Sequence, residues 1–134
     1  MIGKVFAACL LLAAETYELP PHVLLGIYQV EGGRVGQEVG PNQNGSYDLG
    51  PMQINTIWLG ELAGQWGVTK APAKQWVRTN VGVASWILRR HLNETGSLSQ
   101  AISNYHSRTP GVGKIYKAKV LKSMNRHGLM RTSQ

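Results

Sequence analysis

A chain of 134 residues, 43% of them hydrophobic and 16% charged, has the length and composition of one compact domain with its own core, which excludes a two-domain protein and a disordered chain. At this size folding buries roughly 65 to 70% of the unfolded surface, so neither disulfides nor a structural metal is required. The single Cys9 cannot close an internal disulfide, and the scattered His22, His91, His106 and His127 lack the spacing of a zinc site. Fourteen Lys and Arg against seven Asp and Glu give a net charge of +7, which directs attention to anionic partners: nucleic acid, anionic lipid or cell-wall polymer.

In chain order, Val5 to Ala14 is a run of ten apolar residues after Lys4. It has the outline of a short signal-peptide core, but only eight residues precede Cys9 and the run is too short to span a bilayer. Its direct passage into Glu15-Thr16-Tyr17-Glu18 favours a buried first helix over about 4–17. Further helices are expected over about 21–31, 55–65, 79–93, 98–106 and 113–127, six in all. Pro21 suits a first helical turn, Asn55 and Thr79 suit caps, Ser97-x-x-Gln100 reads as a capping box, and Gly128 as a stop. Residues 32–51 hold six glycines and two prolines and form the one long irregular stretch, with a small hairpin expected at Asn44-Gly45. Long ordered loops in compact domains usually serve function.

The second helix carries Leu24, Ile27, Tyr28 and Glu31 at spacing i, i+3, i+4, i+7, so the Glu31 carboxylate projects from the stripe that faces the core. It also falls in the last turn, where the helix dipole is negative. Desolvation and the dipole both raise its pKa, and a carboxylic acid kept protonated near neutrality is what a general acid needs to protonate a leaving oxygen. The alternative is a carboxylate that frays from the helix end and caps the loop amides behind it. Beyond the loop, Gln53 and Asn55 are uncharged donors and acceptors suited to hydroxyl and N-acetyl groups. Trp58, Tyr47 and Tyr105 offer flat faces for pyranose rings, although Trp58, Trp66, Trp76 and Trp86 each read first as core.

Three ordered segments carry a resemblance. Leu19-Pro20-Pro21-His22-Val23-Leu24-Leu25-Gly26-Ile27 leading to Val30-Glu31-Gly32-Gly33 resembles the catalytic helix of soluble lytic transglycosylases. Asn44-Gly45-Ser46-Tyr47-Asp48-Leu49-Gly50-Pro51-Met52-Gln53-Ile54-Asn55 resembles that family's second motif, with Pro51 where a leucine is common. Asn104-Tyr105-His106-Ser107-Arg108-Thr109-Pro110 is similar to the third, in the form found in the branch that accompanies secretion and conjugation machines, with His106 where asparagine is frequent. With Asn80-Val81-Gly82-Val83 ahead of a helix, the match covers roughly residues 15–121. The resemblance implies a mainly α, α+β lysozyme-like fold with a small irregular β region near 32–51, as a single domain over 1–134. It implies cleavage of the β-1,4 bond between N-acetylmuramic acid and N-acetylglucosamine in peptidoglycan, without metal or cofactor, in the periplasm or cell envelope. Glu31 is then the catalytic acid and base, Gln53 and Tyr105 line the site, Met52 packs beside the sugar, and Ser46, Tyr47, Asp48, Asn55 and His106 belong to the binding surface. Components of an envelope-spanning secretion, conjugation or pilus machine are the implied protein partners.

Other readings stay open. Hydrolysing glycosidases use two carboxylates, and Glu38 or Asp48 are the candidates for the second, although Asp48 also suits a turn beside Gly50. A basic module binding nucleic acid through the 113–127 helix is disfavoured, because Lys114, Lys117, Lys119, Lys122 and Arg126 spread around the helix. The same fold retained as an envelope scaffold with little activity is a third reading.

Overall fold

A computed structural model describes residues 3–106 and 110–126, and the side chains of Pro110 and Arg126 are outside that description. It is mainly helical: α1 (Lys4–Thr16), α2 (Pro21–Glu31), α3 (Leu59–Trp66), α4 (Lys70–Gln75), α5 (Val77–Thr95), α6 (Leu98–His106) and α7 (Pro110–Arg126). Two-residue strands β1 (Glu38–Val39), β2 (Asp48–Leu49) and β3 (Ile54–Asn55) form one antiparallel sheet in the order β1-β2-β3. Glu38 pairs Leu49, Val39 pairs Asp48, and Asp48 and Leu49 pair Asn55 and Ile54 on their other side.

The longest helix, α5, buries Asn80, Val81, Val83, Ala84, Ser85, Ile87, Leu88 and His91, more than one face, because α1, α4 and α6 all pack on it. A helix covered by neighbours on more than one side belongs at the centre of a domain. α7 packs on α2 and α6 with a buried stripe of Tyr116, Val120 and Met124 at intervals of four. Leu24 and Ile27 of α2, Leu49 and Met52 of the β region, and Leu62, Leu88 and Val120 are all fully buried in one continuous core.

Helix ends follow local chemistry. Pro21 takes the first position of α2 after an extended Pro20, and a left-handed Gly32 ends it directly after Glu31. The Asn55 side chain accepts the Ile57 amide at 3.0 Å, a cap that opens a 3₁₀ turn over Thr56–Trp58 rather than the expected continuous helix. Ser97 Oγ accepts the Gln100 amide at 3.1 Å, half of the capping box, while Gln100 donates forward to Asn104 at 2.9 Å.

Other expectations are corrected. Thr79 is not a cap: α5 starts at Val77, so Asn80-Val81-Gly82-Val83 lies inside the helix rather than ahead of it. The short α4 was not expected, since Pro72 interrupts its pattern, and seven helices are described rather than six. α7 starts at Pro110, three residues before the expected 113. Trp66 and Trp76 are not core; they are 62% and 63% exposed, at the ends of helices too short to carry them inward. α1 buries Leu10, Ala13 and Ala14 but leaves Val5, Leu11 and Leu12 exposed, because an apolar run all round a surface helix cannot hide every face. The expected stop at Gly128 lies outside the described residues. Among the described residues no helix is long and apolar enough to cross a membrane.

Candidate active site

Glu31, the last residue of α2, opens onto a cavity of about 780 Å³ between the β hairpin and the helices α5 and α6. Asn42, Gln43, Asn44, Ser46, Asp48, Gln53 and Asn55 line one wall; Ile54, Ile57, Trp58, Ile87, His91, Asn104, Tyr105, His106 and Val112 line the rest. The volume falls in the range of about 300 to 1,000 Å³ usual for ligand clefts. The lining is richer than usual in side-chain amides, which suits a ligand with many hydroxyl and amide groups.

The Glu31 carboxyl is pushed up from 4.5 to about 7. Burial is the leading cause; the Tyr116 hydroxyl opposes it, and the negative charge of Asp48 adds to it. The acid is therefore substantially protonated at neutral pH, with a conjugate base strong enough to take a proton back. Tyr105 and Tyr116 have pKa values raised well above the phenol range, chiefly by burial and then by the charge of Glu31, so both hydroxyls remain donors. Tyr105 donates to the Met52 carbonyl at 2.9 Å. The Tyr116 hydroxyl is buried, faces Glu31, and closes no hydrogen bond of full geometry.

The hairpin wall is one hydrogen-bonded unit. Ser46 Oγ donates to Asn44 Oδ1 at 2.5 Å and accepts Nδ2 of Asn42 and of Asn55, each at 3.0 Å. Asn55 Nδ2 also donates to Asp48 Oδ1 at 3.0 Å, and Asn42 Nδ2 reaches Asp48 Oδ2 at 3.4 Å. Ser46 is buried, so the network fixes the orientation of amides whose remaining groups face the cleft. Asp48 is thus a strand residue tied to two amides, and the turn role beside Gly50 is corrected.

Beneath the cleft, the loop between β2 and β3 is clamped by the fully buried Asn80. Its Oδ1 accepts the Met52 amide at 2.8 Å and its Nδ2 donates to the carbonyls of Leu49 at 2.9 Å and Ala73 at 2.8 Å. Gln53 adopts a left-handed backbone, φ 52°, and its side chain donates to the Gly50 carbonyl at 2.9 Å. A strained non-glycine residue held by a clamp is the pattern of a functional loop.

The structure gathers Glu31, Ser46, Asp48, Gln53, Asn55, Tyr105 and His106 on one cavity. Met52 does not join them: it is fully buried and serves the site through its backbone, because β pairing of Leu49 with Ile54 turns its side chain into the core. Tyr47, just ahead of β2, does not line the cavity either; its ring lies beneath Lys70, 5.3 Å from the ammonium. Glu38 is no candidate for a second carboxylate, since Lys70 at 2.6 Å and Lys74 at 3.5 Å hold it away from the cleft. Ser107, Arg108 and Thr109 of the third motif lie outside the described residues. Tyr116 was missed, although Tyr116, Val120 and Met124 at spacing four would have placed it on the inner face of its helix. Asn80, polar in an apolar stripe, was a second visible signal. Among the described residues no group of three or more His, Cys, Asp or Glu could hold a metal ion. Compared with models of known protein families and with curated proteins, the chain matches none.

Proposed function

We propose that the protein is a peptidoglycan lytic transglycosylase, cleaving the β-1,4 bond between N-acetylmuramic acid and N-acetylglucosamine. The observation that carries the reading is Glu31: a single acid with a pKa near 7 on an amide-lined cleft, beside an Asp48 whose oxygens are already engaged by Asn42 and Asn55. The three motif resemblances and the +7 charge, suited to a polymer bearing carboxylated peptides, support it.

In this reading protonated Glu31 gives its proton to the glycosidic oxygen as the bond to the muramoyl anomeric carbon breaks. The 6-hydroxyl of the same muramoyl residue attacks that carbon, and carboxylate Glu31 accepts the hydroxyl proton. The products are a 1,6-anhydromuramoyl end and a free N-acetylglucosamine end, with no water consumed and Glu31 returned to its acid form. One group with a pKa near neutrality serves both steps, and an intramolecular nucleophile removes much of the entropic cost of attack. Tyr116, facing Glu31, steadies its carboxylate form between the steps. The substrate and the role place the protein in the periplasm or cell envelope, where an envelope-spanning secretion, conjugation or pilus assembly needs local opening of the wall.

A second reading has its own observation: Asp48 lines the same cavity and its charge is felt by Glu31, as in a two-carboxylate hydrolase. Mass spectrometry of muropeptides released from purified peptidoglycan separates the two. Anhydro products from the wild type and none from Glu31→Gln are expected; reducing-end products would replace the proposal with hydrolysis, and no release would refute both.

A further inference from the structure

Trp58 is a partition between two hollows. On one side it lines the cleft with Ile87 and His91. On the other its indole meets Trp86 and Arg90, which do not line the cleft and instead form part of a separate hollow of about 460 Å³. The ring closes the three-residue turn Thr56–Trp58, which is too short to fix a side chain of this size by itself. Its plane is set by α5 instead. Trp86 and His91 each stand nearly perpendicular to it with ring centroids 5.7 Å away, and the Arg90 guanidinium lies 5.7 Å from the Trp58 centroid and 5.5 Å from that of Trp86. One cation thus bridges both indoles.

Arg90 is itself held. Glu61, three residues beyond Trp58, forms an ion pair with it, and Glu94, one turn along α5, lies 3.7 Å away. Gln65 donates to the same oxygen of Glu61 at 3.1 Å. A lysine would satisfy the charge of this cluster, whereas a flat group over two rings requires a guanidinium. A pyranose packs its C–H face on an indole that holds one plane, and a plane fixed before binding saves the entropy of ordering it. We infer that Arg90 is a positioning residue for the substrate: acting through Trp58, it fixes the indole as the platform on which a sugar ring of the glycan strand packs, and so governs binding of the polymer rather than bond cleavage at Glu31. The inference rests on the peptidoglycan reading above and adds to its binding machinery a residue that lies outside the cleft.

Two substitutions separate this role from a purely structural one. Arg90→Lys keeps the ion pair with Glu61 and loses the flat stack, while Arg90→Met loses both. On glycan strands both are expected to raise KM about twofold to fivefold, the size of a cation–π contact at a partly exposed site, with kcat unchanged. Lysine should recover the Tm lost in Arg90→Met but not the KM. In a Trp58→Leu background neither change should raise KM further, because the group through which Arg90 acts is gone. A lysine variant with wild-type KM, or the same rise with and without Trp58, overturns the inference and leaves Arg90 as a tie between α3 and α5. Binding of a β-1,4-linked N-acetylglucosamine oligomer to the inactive Glu31→Gln protein, followed by tryptophan emission, reads the platform without turnover. Its Kd should weaken by the same factor when Arg90→Lys is added, and an equal Kd overturns the inference even if the leucine background does not fold. A wild type that releases nothing from peptidoglycan refutes the peptidoglycan reading, and the role of Arg90 falls with it.

Discussion

A side-chain carbon on Gly33 would overlap the carbonyl oxygen of Gly50 and press on the Gln53 amide, so the residue two places after Glu31 and the turn carrying Gln53 meet backbone to backbone. The Gly33 amide donates to the Pro51 carbonyl at 3.2 Å, which locks the end of α2 to the floor of the cleft. Gly33→Ala must push the turn away. We expect a loss of about 1 to 3 kcal/mol in stability, read by urea unfolding, and a fall in kcat larger than that of an alanine at exposed Gly64, where nothing would be touched.

Asn80 makes the second connection to the same turn. Asn80→Ala strips partners from one amide and two carbonyls that are shut off from water, and the expected cost is about 3 kcal/mol or more. Asn80→Asp should be at least as harmful, because a carboxylate can accept from Met52 but would oppose the carbonyls of Leu49 and Ala73. Thermal unfolding of both variants checks the order; an aspartate variant as stable as wild type would show that the clamp is not what holds the loop.

Much of this was legible in the sequence, and the reason is local. Pro20-Pro21 and Gly32-Gly33 bracket α2, and a 3.6-residue period then forces Glu31 onto the inner stripe. Asn44-Gly45 marks the hairpin for similar reasons. What stayed hidden depends on distant chain. Whether Met52 or Gln53 faces the cleft is settled by a two-residue strand register and a left-handed Gln53, neither of which has a composition signal. The pairing of Glu38 with Lys70 and Lys74 spans more than thirty residues, so an acid that reads as catalytic in the loop is structural in the fold. Trp66 and Trp76 look like core because indoles usually are, and only the shortness of α3 and α4 leaves them outside.

Tyr116→Phe isolates the interaction that opposes desolvation of Glu31. Without the hydroxyl, the carboxylate loses a favourable neighbour and its pKa rises further. The alkaline limb of the kcat/KM profile should move to higher pH, while stability stays within about 1 kcal/mol of wild type, because a buried hydroxyl without a closed hydrogen bond contributes little. A limb displaced to lower pH would contradict the assignment of Tyr116.

The raised pKa of Glu31 also has to appear in the folding equilibrium. The unfolded carboxyl titrates near 4.5 and the folded one near 7, so across that window the native state holds a proton that the unfolded state has released. Stability is therefore fully retained below pH 4.5, falls as pH rises through the window, and levels off above 7. The two and a half pH units between the values correspond to about 3 kcal/mol. Glu31→Gln cannot ionise and escapes this loss. It should be more stable than wild type by on the order of 3 kcal/mol at pH 8, roughly 10 °C in Tm, and nearly equal to it at pH 4, while releasing no muropeptides at either pH. Wild-type turnover should decline above about pH 7 as the acid form of Glu31 is lost. Parallel Tm curves for the two proteins from pH 4 to 8 would mean that Glu31 is solvated and ordinary, and the case for it as the general acid would fail with that result.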